Sequence, residues 1–103
     1  MTYNIIYDII YNIKAKGLIT LNVQYHKKAI KFINSLPTHD KQRIKSAIQN
    51  LLINPSMCDI KPLQGYKDLY RLRVGNYRII YTKDNIILFI ADIGNRGDIY
   101  KQY

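Results

Sequence analysis

LYRLRVGNYRIIYT, residues 69–82, decides the fold. Leu69 to Val74 and Tyr77 to Thr82 read as two strands, and Gly75-Asn76 between them is a two-residue loop with glycine first, which suits a type II′ hairpin. Such a loop fixes register, so Val74 faces Tyr77, Arg73 faces Arg78 and Arg71 faces Ile80. One face of the ribbon then carries Tyr70, Leu72, Val74, Tyr77, Ile79 and Tyr81, apolar enough to lie on helices. The other carries Arg71, Arg73 and Arg78, with no acidic neighbour expected on that face. Like charges directly opposite one another on a sheet cost on the order of 0.2–1 kcal/mol. A bound phosphate would relieve that repulsion through charge-assisted, bidentate bonds.

Downstream, a second turn at Lys83-Asp84-Asn85 leads into IILFIAD, whose unbroken apolar run suits a strand buried on both faces. The turn-like Gly94-Asn95-Arg96-Gly97 follows, where Arg96 can add a fourth guanidinium and Tyr100 can reach the same region. Upstream, Leu21, Val23 and Tyr25 alternate with Asn22 and Gln24 as in a half-buried strand. HKKAIKFINSLP then places Ala29, Ile30, Ile33 and Leu36 on one side of a helix closed by Pro37. Thr38 is a candidate cap for a second helix, with Asp40 in its first turn and Ile44, Ala47, Ile48, Leu51 and Leu52 as its apolar stripe, ended by Asn54-Pro55. The expected order is β-α-α-β-β-β with a short tail. This is an α+β domain, a helical hairpin packed on a small, mainly antiparallel sheet.

That domain is expected to span residues 19–103. Residues 1–18 are set apart as an N-terminal extension. Ile5, Ile6, Ile9, Ile10 and Ile13 have helix-like spacing, yet the stretch is built of Tyr, Asn and Ile, indifferent helix formers. A helix or a disordered appendage is expected there. The opening has neither a basic n-region nor a small-residue cleavage site, and no apolar run reaches the roughly 20 residues of a membrane span. A cytoplasmic protein with no membrane partner is therefore expected. Cys58 is the single cysteine, which excludes an internal disulfide and a cysteine-based zinc site. His26 and His39 lie at the helix starts, far in sequence from the arginines, and read as surface residues. No metal-ligand spacing is evident among the aspartates, so neither a metal nor another cofactor is expected.

Sixteen Lys and Arg against seven Asp give a net charge of +9, which points to a polyanionic partner. Four of the five arginines fall in the last third, and that third is taken as the functional surface.

KPLQGYKDLYRLRVGNYRIIY followed by ADIGNRGDIY resembles the RelE toxins of the RelE/ParE toxin–antitoxin superfamily, over a likeness running from Ile19 to the C-terminus. It rests on Lys61-Pro62-Leu63-x-Gly65, the Tyr-Arg-Leu-Arg strand, the Gly-x-Tyr-Arg turn and the closing Gly-x-Arg…Tyr. The resemblance implies a microbial-RNase-like fold and a type II toxin that cuts messenger RNA in the ribosomal A site. It further implies silencing by a cognate antitoxin, through which the complex binds operator DNA. Carried over residue by residue, the catalytic set falls on Arg71, Arg73, Arg78, Arg96 and Tyr100, with Lys61, Lys67 and Lys101 as further RNA-binding residues. Many relatives have His or Lys where this chain has Asn95, which cannot titrate.

The implied chemistry needs no metal. A 2′-hydroxyl attacks the adjacent phosphorus, arginines stabilise the charge on the non-bridging oxygens, and a 2′,3′-cyclic phosphate results. An ordinary tyrosine titrates near pH ~10, so a tyrosine base needs neighbouring guanidiniums to favour its phenolate. Two other readings use the same surface. One is a ParE-like toxin acting on DNA gyrase, which does not need the catalytic set. The other is a non-enzymatic nucleic-acid-binding module.

Overall fold

The computed structural model describes residues 5–10, 22–84 and 86–102. β1 (Ile5–Ile10), β2 (Asn22–His26), β3 (Ile60–Pro62), β4 (Tyr70–Val74), β5 (Tyr77–Lys83) and β6 (Ile87–Asn95) form one sheet in the order β1-β2-β6-β5-β4-β3. β2 and β6 run parallel and every other neighbouring pair is antiparallel, as expected for a mainly antiparallel sheet. α1 (Lys27–Asn34) and α2 (Thr38–Ile53) make the helical hairpin, and a short α3 (Arg96–Ile99) follows β6.

The decisive hairpin has the expected register, with Arg73 opposite Arg78, Arg71 opposite Ile80 and Val74 opposite Tyr77. Gly75 has φ +57° while Asn76 stays negative, the sign pattern of a type II′ turn. The ribbon's apolar face lies on the helices. Leu72, Ile79 and Tyr81 join Val23, Tyr25, Ala29, Ile44, Ile48, Leu51, Leu88, Ile90 and Ile93 in the main core, with Tyr70, Val74 and Tyr77 packed against it. β6 is buried from Leu88 to Gly94, as its apolar run requires of a central strand.

Several expectations change. Residues 5–10 form a strand rather than a helix, paired through Ile9↔Val23 and Tyr7↔Tyr25 to the edge of β2. Ile and Tyr favour a pleated surface, and the hydrogen-bonding edge of β2 outweighs the helix-like spacing. Ile13, Leu21 and Asn85 lie outside the described residues. A three-residue β3 adds an edge strand that its Ile-Lys-Pro composition hardly announces. Thr38 is not the cap of α2. Pro37 holds that position without a side-chain hydrogen bond, and Thr38 is already helical. It is α1 that has a side-chain cap, His26 Nδ1 accepting the backbone N–H of Lys28 at 3.1 Å.

Candidate RNA-binding and catalytic site

The sheet face away from α1 and α2 has its own apolar floor, Ile80, Phe89 and Ala91 together with Ile99 of α3, with Leu63, Leu69 and Ile87 against it. Lys61 and Arg71 lie side by side there, as register partners on β3 and β4. Arg71 is only 8% exposed, and its guanidinium lies 3.5 Å from the Asp59 carboxylate. Arg73, more than half exposed, lies 3.9 Å from the same group. The expectation of no acidic neighbour is therefore corrected. Asp59 reaches these arginines because β3 pairs with β4, and its own carbonyl accepts the backbone N–H of Arg73 at 3.0 Å.

Arg78 is 5% exposed and is held differently. Its Nη1 donates to the carbonyls of Gly75 and Tyr77, at 2.8 and 2.9 Å. The guanidinium is thus locked to the turn by one nitrogen, and Nε and Nη2 bond to none of the described residues. The turn is fixed from a second side, since the backbone N–H of Arg96 donates to the Asn76 carbonyl at 2.8 Å. Arg73 and Arg78, which register places opposite one another, thus have different partners, Asp59 for the one and the turn carbonyls for the other.

α3 brings Tyr100 to the same end. Gly94 is the register partner of Arg78, and a Cβ built on Gly94 would stand 3.1 Å from Ile99 Cδ1. Ile99 therefore seats α3 on the end of β6, and Tyr100, the next residue, is 40% exposed. Lys101 is also exposed and pairs with Asp98 at 3.4 Å. Two other tyrosines, Tyr81 and Tyr77, are held further from ionisation. Burial, with Cys58 and Tyr70 nearby, pushes the Tyr81 phenol up to about 12. Tyr77 is raised by donating its hydroxyl to Asp40 at 2.8 Å.

Lys67 stands apart. It lines a cleft of about 500 Å³ with Gln24, Asp68, Thr82, Lys83 and Asp84, at the far end of β5 and β6. Along β5, Arg78 and Lys83 are about 17 Å apart at the usual strand rise. Asp84 accepts the backbone N–H groups of Ile87 and Ile86, at 2.7 and 2.8 Å, and these bonds hold its carboxyl below the usual range.

The fifth arginine carries no motif that marks it in the sequence. Arg43, on α2, places its guanidinium against Gly75, in the space a Cβ would need. No group of three or more His, Cys or Asp side chains gathers at metal-binding spacing among the described residues. No described helix is long and apolar enough to cross a membrane.

A helical hairpin on a mixed sheet, with the buried Arg78 fixed to one turn and Arg71 buried on the neighbouring strand, defines a small basic toxin-like domain. Residues 23–100 match the family described as ParE toxin of type II toxin-antitoxin system, parDE. Toxin RelE3 of Methanocaldococcus jannaschii is 31% identical over 87 residues, covering 81% of this chain and 99% of that protein. The toxin in the RelB–RelE antitoxin–toxin complex of Methanococcus jannaschii superposes with a TM-score of 0.64 at 30% identity, covering 77% of this chain and 96% of that one. The RelE–RelB complex of Pyrococcus horikoshii gives 0.62 at 31% identity, over 74% of this chain and 94% of that one. YafQ of E. coli, at 18% identity and a TM-score of 0.63, shares the fold over 78% of this chain and 98% of its own. This chain belongs to the RelE/ParE superfamily and is a type II toxin of the RelE family.

Proposed function

We propose that this toxin is a metal-independent endoribonuclease that cuts messenger RNA on the ribosome. The observation that carries the reading is the anchoring of Arg78 and Arg96 to one turn, Arg78 through Nη1 and Arg96 through its backbone N–H. A guanidinium immobilised before substrate arrives loses little on meeting the charge that develops on a phosphorane, which makes its donors effective. Arg78 presents its remaining edge to the non-bridging oxygens and Arg96 adds a second cation. Arg71, Arg73, Lys61 and Lys101 hold the strand by its phosphates. The 2′-oxygen bonds to phosphorus as its proton passes to a base, and the 5′-oxygen leaves with a proton, giving a 2′,3′-cyclic phosphate. Tyr100 acts on that proton or stacks on a base at the rim.

Control follows from the family. A small antitoxin encoded beside the toxin neutralises part of the +9 charge, lays apolar side chains beside the helices and carries the complex to operator DNA. The functional domain spans residues 19–103 and works in the cytoplasm, where ribosomes are. The family description names ParE, and the competing target is DNA gyrase. Arg71, Arg73, Arg78, Arg96 and Tyr100 are a set that such a target does not need.

The test incubates the purified chain with translating ribosomes assembled in magnesium, then maps message ends with and without added EDTA. Cuts ending in cyclic phosphate in both samples are expected. Intact message beside inhibited gyrase supercoiling would transfer the toxin to the other target.

A further inference from the structure

Three arginines meet the two-residue hairpin turn from three elements. Arg43 reaches it from α2, its guanidinium over Gly75. Arg78 bonds the Gly75 carbonyl at 2.8 Å, and the Arg96 N–H bonds the Asn76 carbonyl at 2.8 Å. Among the described residues, no carboxylate lies within ion-pair distance of any of the three. Asp40, one helical turn before Arg43, is engaged by the Tyr77 hydroxyl at 2.8 Å. The turn can accept this crowding because Gly75 has no side chain. Its φ of +57° also disfavours one.

From Arg43 the surface continues along α2 as a groove of about 390 Å³. His39, Gln42, Ser46 and Asn50 line it and Val74 lies beneath. Spacings of three and four place these groups on one helical face, about 16 Å long from His39 to Asn50. The lining offers the Arg43 guanidinium and several other hydrogen-bonding groups, and none of its residues is acidic. A sugar–phosphate backbone presents the complementary set, an anion beside hydroxyl and ether oxygens.

We propose that Arg43 and this face of α2 form a second RNA-backbone subsite, continuous around the hairpin tip with the arginines of the cleavage site. The proposal rests on the RNA-cleaving reading above, which supplies the polyanion. Arg43 binds a phosphate outside the scissile position, and the polar groups behind it follow the strand. The RNA is either the message or ribosomal RNA.

The experiment measures binding of a fluorescein-labelled single-stranded RNA by anisotropy across a salt series, and of isolated ribosomal subunits by co-sedimentation. Arg43→Gln, Arg43→Lys and Arg96→Gln are compared with the unaltered chain, after melting curves show that each is folded. Arg43→Gln should weaken binding about 5- to 10-fold at low salt and lower the slope of log affinity against log salt by about 0.7. Arg43→Lys should restore most of the slope. An effect on the oligonucleotide assigns the message to the groove, and an effect on subunits alone assigns ribosomal RNA. Unchanged affinity and slope on both probes, with Arg96→Gln impaired, would overturn the subsite and leave the cleavage reading standing. Weakened antitoxin binding with unchanged RNA binding would overturn it in favour of a protein partner. If the unaltered chain shows no salt-dependent RNA binding, the cleavage reading itself fails, recognisable because Arg96→Gln then has nothing to lose.

Discussion

The two ends of β5 carry similar numbers of cations and hold them differently. At the hairpin end, Arg43, Arg78 and Arg96 bear on Gly75-Asn76 without a carboxylate partner among the described residues. At the far end, Lys67 and Lys83 line an open cleft together with Asp68 and Asp84, without an ion pair to either among the described residues. Arg71 and Arg73 lie between these extremes, sharing Asp59. Net charge alone does not separate these regions. What separates them is whether carboxylates line the same space as the cation and whether a guanidinium, as at Arg78, is fixed before a ligand arrives.

The largest effect expected from this contrast is on cleavage. Arg78→Ala and Arg96→Ala should each lower the cleavage rate about 100- to 1,000-fold, whereas Lys67→Ala should stay within about threefold. Single-turnover cleavage on ribosomes measures all three, and comparable losses at the two ends would erase the distinction. Arg78→Ala should also lower stability by about 1–3 kcal/mol, because buried hydrogen bonds to the turn are lost with the charge. Arg96, exposed, should cost little.

Asp59→Asn tests the intermediate region by making it resemble the tip. Freed from their shared carboxylate, Arg71 and Arg73 should bind single-stranded RNA about 3- to 10-fold more tightly at low salt, with a steeper salt slope. Stability should fall by about 1 kcal/mol, as suits a pair with one partner exposed. Anisotropy and thermal melting report the two changes, and weaker RNA binding would mean that Asp59 positions these arginines rather than restraining them.

Deleting residues 1–18 removes β1 from the sheet edge opposite β3, away from the hairpin tip. Cleavage should be unchanged and the melting midpoint should fall by about 4–8 °C, the equivalent of roughly 1 kcal/mol in a domain of this size. Lost activity in a folded deletion variant would tie β1 to the site.

The smallest effect concerns pH. Burial, and then the charge of Lys28, lower the His26 pKa from its ordinary value of 6.5. The unfolded chain therefore binds this proton more readily than the folded one. The contribution of the cap is complete above 6.5 and is lost as the pH falls below it, by up to about 1 kcal/mol. His26→Asn, which caps without titrating, should flatten melting midpoints between pH 7 and 5 in roughly that proportion. Because His26 starts α1, RNA binding at the tip should not follow the same curve.

The sequence made legible what periodicity and turn chemistry control. Gly75-Asn76 set the register of β4 and β5, the apolar run after Ile86 announced a central strand, and Ile44, Ile48 and Leu51 marked the buried side of α2. Contacts made by short or edge elements were hidden. Three residues of β3 have no readable period, yet their pairing delivers Asp59 to Arg71. Arg43 resembles any cation on a solvated helix face until the fold places Gly75 beneath it. The same holds for Arg78, which alternation puts on the open face but whose burial depends on its bonds to the turn.

The position of β6 has a consequence in time. It is the last of the described strands in the chain and lies near the middle of the sheet, between β2 and β5. Its pairing with β2 spans some sixty residues of sequence, a closure that cannot begin until both partners exist. A nascent chain lacking β6 has no floor for Ile80, no support for α3, and neither Arg96 nor Tyr100. The order of synthesis thus withholds the completed sheet, and with it the proposed site, until β6 has been made.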